Sequence, residues 1–211
     1  MKLKSVLVVL LILINLIFAQ PSWASKAKLT QTPEYTEVTE SLNQLLQAKT
    51  APQENSEYTP TEIEQKIGQL QLQKYILETA SHPAQCRNET GNTLAIYAHK
   101  GKKAPTLFYL GNGKYTDDDW SCDGVYLPSG AKLANATSLG IEKLTEAQAL
   151  KITPGTQLVI STNPQTGAYE LNVSPAKVFK AGDQAVENSW SIPNLSVSDI
   201  STQVPNAPID D

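Results

Sequence analysis

Histidine and cysteine are scarce in this chain, with two of each among 211 residues. A zinc centre built from such ligands would need nearly all four to converge. Cys86 and Cys122 stand far apart, so there is no C-x-x-C redox motif. No G-x-S-x-G elbow offers a hydrolase serine. No glycine-rich phosphate loop is present either, since Gly111-x-Gly113 lacks the third glycine and reads as a turn. Positive charge is not in excess: 17 Lys+Arg face 21 Asp+Glu, a net charge of −4. That balance argues against nucleic-acid binding, which rests on clustered Lys and Arg. No period of solenoid length recurs. No cofactor motif is found, and no cofactor is expected.

The clearest positive signal is N-terminal. Met1-Lys2-Leu3-Lys4 is a short basic stretch, and Val6 to Ala19 is apolar except for Asn15. Gln20-Pro21 ends the run, and Ser22-Trp23-Ala24 places small residues at the −3 and −1 positions of a cut before Ser25. This is the three-part pattern of a secretory signal peptide over residues 1–24. The run is shorter than the roughly 20 residues of a membrane helix, which leaves an uncleaved anchor as the alternative. The protein is therefore expected in a periplasm, a thylakoid lumen or the extracellular space, with no membrane attachment after cleavage. In an oxidising compartment an even cysteine count favours a Cys86–Cys122 disulfide over a catalytic thiol.

Two helices should follow. Thr32-Pro33 is a start signal, and Tyr35, Val38, Leu42, Leu45 and Leu46 mark one face of a helix over 33–48. Thr59-Pro60-Thr61-Glu62 is a capping box opening a second helix over 60–80, with Ile63, Ile67, Leu70 and Leu77 on one face. Beyond Cys86 the period changes to two. Strands are expected over 93–100, 106–110, 125–127, 158–162 and 168–173, a further one over 177–179, and a short helix from Thr145 to Leu150. The expected fold is α+β: a pair of amphipathic helices, then a small, mainly antiparallel β-sheet domain. The corresponding layout is a polar segment with one helix over 25–58, one globular domain over 59–192, and a flexible Pro-containing tail over 193–211.

Candidate sites are few. Asp119-Trp120-Ser121-Cys122-Asp123-Gly124 resembles the first half of an EF-hand calcium loop, with Asp117 beside it. Asp117, Asp119 and Asp123 would be the ligands, but the twelfth position is Gly130, which cannot supply the bidentate carboxylate. The competing reading is an acidic turn. His82 sits at a helix end and His99 beside Lys100, Lys102 and Lys103 on a solvated turn, neither in a catalytic motif. Sequons occur at Asn88, Asn135, Asn172 and Asn194.

Aromatic residues cluster. Tyr97, Phe108, Tyr109, Tyr115, Trp120 and Tyr126 fall within one short stretch. If Leu94, Ile96, Phe108, Leu110, Val125 and Leu127 face the core, strand parity puts Tyr97, Tyr109 and Tyr126 together on the other face. Such a face is either a binding surface or a second core layer under the second helix. The functional expectation is a small, non-enzymatic exported binding or accessory protein with a protein or glycan partner in the envelope. The alternative is an envelope hydrolase acting on cell-wall or extracellular polymer through carboxylates not paired in sequence.

Overall fold

A computed structural model describes residues 29–50, 58–134, 140–181 and 190–209. The expected signal segment over 1–24, the sequon at Asn135 and the terminal Asp210-Asp211 lie outside the described residues.

The first helix, α1 (Pro33–Thr50), follows a 3-10 turn at Leu29–Gln31. The second, α2 (Pro60–Thr79), opens on the capping box read in the sequence. The Thr59 hydroxyl accepts the Glu62 N–H, and the Glu62 carboxylate accepts the Thr59 N–H at 2.8 Å. Two orphan amide donors are thereby satisfied at the helix start. Leu42 of α1 packs against Ile63 and Ile67 of α2, with Leu45 and Leu70 at the margin. The Tyr35 hydroxyl donates to Glu78 at 2.8 Å and ties the open end of the hairpin. Leu46, although on the apolar face read for the first helix, remains exposed, as does Leu72 of α2.

The remainder forms two five-stranded sheets, so the helix pair is followed by a mainly antiparallel β domain as the α+β reading expects. In chain order the strands are β1 (Gln85–Glu89), β2 (Leu94–His99), β3 (Thr106–Leu110), β4 (Ser121–Leu127) and β5 (Lys132–Ala134). They continue with β6 (Ile141–Lys143), β7 (Gln148–Lys151), β8 (Gln157–Thr162), β9 (Tyr169–Leu171) and β10 (Lys177–Lys180). One sheet is antiparallel, ordered β10-β7-β4-β2-β3. The other is mixed, ordered β1-β8-β9-β5-β6, with β1 parallel to β8 and β5 parallel to β9.

Alternation places Leu94, Ile96, Leu110, Val125 and Leu127 of the antiparallel sheet in one cluster with Cys86, Leu158 and Ile160 of the mixed sheet. Each such fully buried side chain stabilises the fold by roughly 1.5–3 kcal/mol. The parity expected from sequence therefore holds, and Phe108 packs against this core at its edge. Cys86 and Cys122 form a disulfide with Cα atoms 5.7 Å apart, which joins β1 of one sheet to β4 of the other.

Two local expectations are corrected. Residues 148–150, expected to end a short helix, belong instead to β7. Ala149 and Leu150 serve opposite faces of the sheet, which a one-turn helix could not achieve. Residues 193–201, in the segment expected to be a loose tail, lie across the outer face of the antiparallel sheet together with Trp190, whereas Ala207 and Ile209 pack against the core shared by the two sheets. The segment includes a short helix, α3 (Val197–Ser201), capped by Ser196 and Asp199.

Candidate functional site

Four strands have one terminus at the same border of the antiparallel sheet. His99 closes β2, Ser121 opens β4, Lys151 closes β7 and Lys177 opens β10. The helical hairpin stands over this border and leaves a cleft of about 830 Å³. Leu29, Val38, Leu70 and Leu77 supply its apolar wall on the helical side; His99, Asp123 and Lys151 supply polar groups on the sheet side. Phe179 and Trp190 line it as well.

The polar groups are organised in pairs. His99 Nδ1 lies 2.6 Å from Asp123 Oδ2. The pairing of β2 with β4 slips between Tyr97 and Ala98, so Tyr97 faces Gly124 while Ala98 faces Cys122. Asp123 is the extra residue of this bulge, free to turn toward the ring at the end of the neighbouring strand. Gly124 allows the tight passage that follows: a Cβ there would meet Leu150 O at 2.1 Å. On the other side of the cleft, Lys151 Nζ stands 3.3 Å from Glu34 of α1.

These pairs shape the electrostatics. The hydrogen bond to Asp123 raises the His99 pKa, outweighing partial burial. Burial pushes the Asp123 carboxyl up, although His99 and Lys151 pull it back. Burial also acts upward on Glu34, but its own backbone amide and Lys151 hold it below the usual carboxylate value. The cleft thus offers an alternating row of charges, imidazole, carboxylate, ammonium, carboxylate, beside an apolar wall. It can orient a polar ligand and hold a proton at the His99–Asp123 pair.

The residues singled out in the sequence are distributed differently. Tyr97 and Tyr126 do share the outer face of the antiparallel sheet, with Ala95 and Ala149, but both are fully buried. An exposed tyrosine platform is therefore not what the fold presents. The cover is not α2 but the C-terminal segment, whose Trp190 and Ile200 plug the face. The Tyr97 hydroxyl donates to Ser191 O at 2.8 Å, and that of Tyr126 to Pro193 O at 2.7 Å. Burial raises the pKa of both phenols. Tyr109 is half-buried at the edge and binds Asn206 and Ala207 through its main chain.

The calcium-loop candidates do not converge. Asp117 accepts the Asp119 N–H, Asp119 faces Lys100 at 3.3 Å, and Asp123 is turned to His99. The bulge and the Cys122 disulfide draw Asp123 away from the other two. Among the described residues no three His, Cys, Asp or Glu side chains are grouped to hold a metal ion.

The expectation for His99 is also corrected: it is not on a solvated turn but partly buried in the cleft wall. Of the sequons, Asn88 is fully buried and donates to Asn92 O and Leu110 O. The Asn172 side chain is likewise engaged, with Val159 N and Gln157 O. Among the described residues, no helix is long and apolar enough to cross a membrane.

Fold and cleft together define a disulfide-joined α+β protein in which a helical hairpin roofs the end of a two-sheet body. No protein-family model, no curated protein and no solved structure gives a significant match to the chain.

Proposed function

We propose that this is a small exported binding or accessory protein without catalytic activity, and that its ligand occupies the cleft between the hairpin and the sheet border. The ligand class is one with an apolar body and polar groups, as the lining requires. The observation that carries this reading is the pairing of the cleft's charges. His99 holds Asp123 and Lys151 holds Glu34, so these groups are fixed in place before any ligand arrives. Fixed groups lower the cost of ordering the site on binding.

The hydrolase alternative rests on the same His–Asp pair, which could orient a general base. It is the weaker reading, because among the described residues His99 makes one side-chain hydrogen bond, to Asp123, and none to a hydroxyl. Cys122, nearby on β4, is held in the disulfide.

The test is capture from the protein's own envelope fraction with three baits: the native chain, Ser41→Trp and Gln73→Trp. Both substitutions place a large ring in the cleft. The binding reading expects one and the same molecule on the native bait and a loss of at least tenfold on both variants. Equal capture by all three baits would remove the cleft from the reading. Polymer turnover by the native chain that His99→Gln abolishes would replace it with the hydrolase.

A further inference from the structure

The charges that line the cleft are sorted by side. Its sheet border carries Lys151, Lys177 and His99. Lys151 of β7 and Lys177 of β10 are direct partners across an antiparallel pair, so both side chains leave the same face. Like charges placed directly opposite each other weaken a sheet. The carboxylate on that border, Asp123, is bonded to His99. The helical side carries the reverse sign. Glu34 and Glu37 lie three residues apart on α1, on one face of the helix, and both line the cleft. Glu34 takes one of the three donors of the Lys151 ammonium.

With His99 protonated beside Asp123, three cations and three carboxylates line the cleft, and their sum is zero. A ligand of one sign would bring in a charge with nothing to balance it. An uncharged ligand would strip water from these groups without replacing it. A molecule with one charge of each sign answers both sides. Its carboxylate would face the lysines, its ammonium Glu34 and Glu37, and its apolar body the wall of Val38, Leu70 and Leu77. We propose that the cleft binds a zwitterion with an apolar body, and specifically a short apolar peptide with both ends free. The volume of about 830 Å³ favours a peptide over a single amino acid, since it lies toward the upper end for small-ligand sites. Such a ligand presupposes that the cleft is the binding site, as proposed above.

The test is titration calorimetry on the full chain at about pH 6, below the ordinary histidine value. The probes are Leu-Leu-Leu, its N-acetyl form, its C-terminal amide and the doubly capped peptide. The free tripeptide should bind the native chain, and each single cap should weaken it at least tenfold. Lys177→Met should weaken the free tripeptide at least threefold but not the amide, which has no carboxylate to lose. Glu37→Gln should weaken the free tripeptide to the same degree but not the N-acetyl form. Both side chains are exposed, so the fold tolerates these changes. Ser41→Trp and Gln73→Trp should remove uptake of every form.

Capped forms that bind as tightly as the free tripeptide would overturn the proposal. Full affinity in the N-acetyl form alone would make the site one for an anion, and in the amide alone one for a cation; either result overturns the zwitterion. Leucine that binds as tightly as the tripeptide would overturn the peptide in favour of a free amino acid. Uptake unchanged in Ser41→Trp and Gln73→Trp would place it outside the cleft and overturn it as well. Should no form bind while envelope capture still fails on those two variants, the zwitterion falls and the cleft remains the binding site. Equal capture by all three baits would instead remove the cleft itself.

Discussion

Asp123 and His99 meet across neighbouring strands at 2.6 Å, and the meeting depends on the bulge that sets Asp123 out of register. Both groups have raised pKa values, His99 because Asp123 accepts its proton and Asp123 because it is buried. A raised folded pKa means stability that is full below the unfolded value and lost as pH climbs through the folded one. The pair therefore makes the protein less stable from mildly acidic to mildly alkaline pH. Thermal unfolding of the native chain should show this decline above about pH 6.5, the ordinary histidine value. In His99→Asn the slope should flatten. At pH 6 that variant should lose about 1–3 kcal/mol, because the Asp123 carboxyl stays buried without its charged partner. An unchanged slope would show that the pair does not couple to folding.

At the acidic end the sign reverses. Glu34 has a lowered folded pKa, so its contribution is present above the unfolded carboxylate value and disappears as pH falls through the folded one. Lys151→Met should weaken the acid-side loss while costing under about 1 kcal/mol at neutral pH, as befits a partly exposed ion pair. Urea titrations at several pH values between 3 and 7 on the native chain and Lys151→Met read this directly.

The disulfide between Cys86 and Cys122 should leave no thiol for labelling in the unreduced, denatured protein. Replacing both cysteines by serine should cost about 4 kcal/mol on the chain-entropy estimate for a loop of this length. Chemical denaturation of the native and double-serine chains gives the difference, and two reactive thiols in the native material would contradict the pairing.

Gly155 controls how the hairpin sits. Its φ is +85°, and a Cβ there would fall 2.3 Å from Ala80 Cβ and 3.3 Å from Leu29. Gly155→Ala should push the end of α2 off the sheets as well as straining the turn, at a cost of more than about 1 kcal/mol. Hydrogen exchange is the suitable measurement. Protection should fall first in residues 29–50 and 60–79 and remain in β2 and β4, where Gly124→Ala should instead disturb the sheet itself through Leu150 O.

Tyr97→Ser with Tyr126→Ser should unfold the protein rather than bare a platform, since deleting one buried aromatic typically costs about 3–5 kcal/mol. Tyr126→Phe should be mild in comparison, about 1 kcal/mol for the hydroxyl's bonds to the C-terminal segment. Calorimetry on both variants distinguishes an essential aromatic layer from a dispensable one.

What could be read from the sequence was what neighbouring residues determine. Thr59 and Glu62 announce their capping box within four positions, and Leu94 to Ala98 state their alternation within five. The two-sheet architecture could not be read this way, because β1 finds its parallel partner in β8, far along the chain. Thr145-x-x-Gln148 looks like a helix start, but Ala149 and Leu150 have separate layers to fill, and that demand prevails. The His99–Asp123 pair was hidden because no local signal marks the bulge that creates it. The place of residues 190–209 was not legible, because their composition is polar and proline-bearing while the partners of Trp190 and Ile200 lie far back in the chain.

The parallel pairing of Gln85–Glu89 with Gln157–Ser161 also governs timing. The helical hairpin is built from contacts close in sequence and can form as soon as residue 79 is free. β1 can bond residues 113–116 early on one edge, but its parallel partner β8 arrives late, and closing so large a loop is slow. A chain emerging in order from its N-terminus therefore carries a formed hairpin ahead of a body still waiting for its edge. The Cys86–Cys122 bond can close during that interval, holding β1 beside β4 until the remaining strands complete the second sheet.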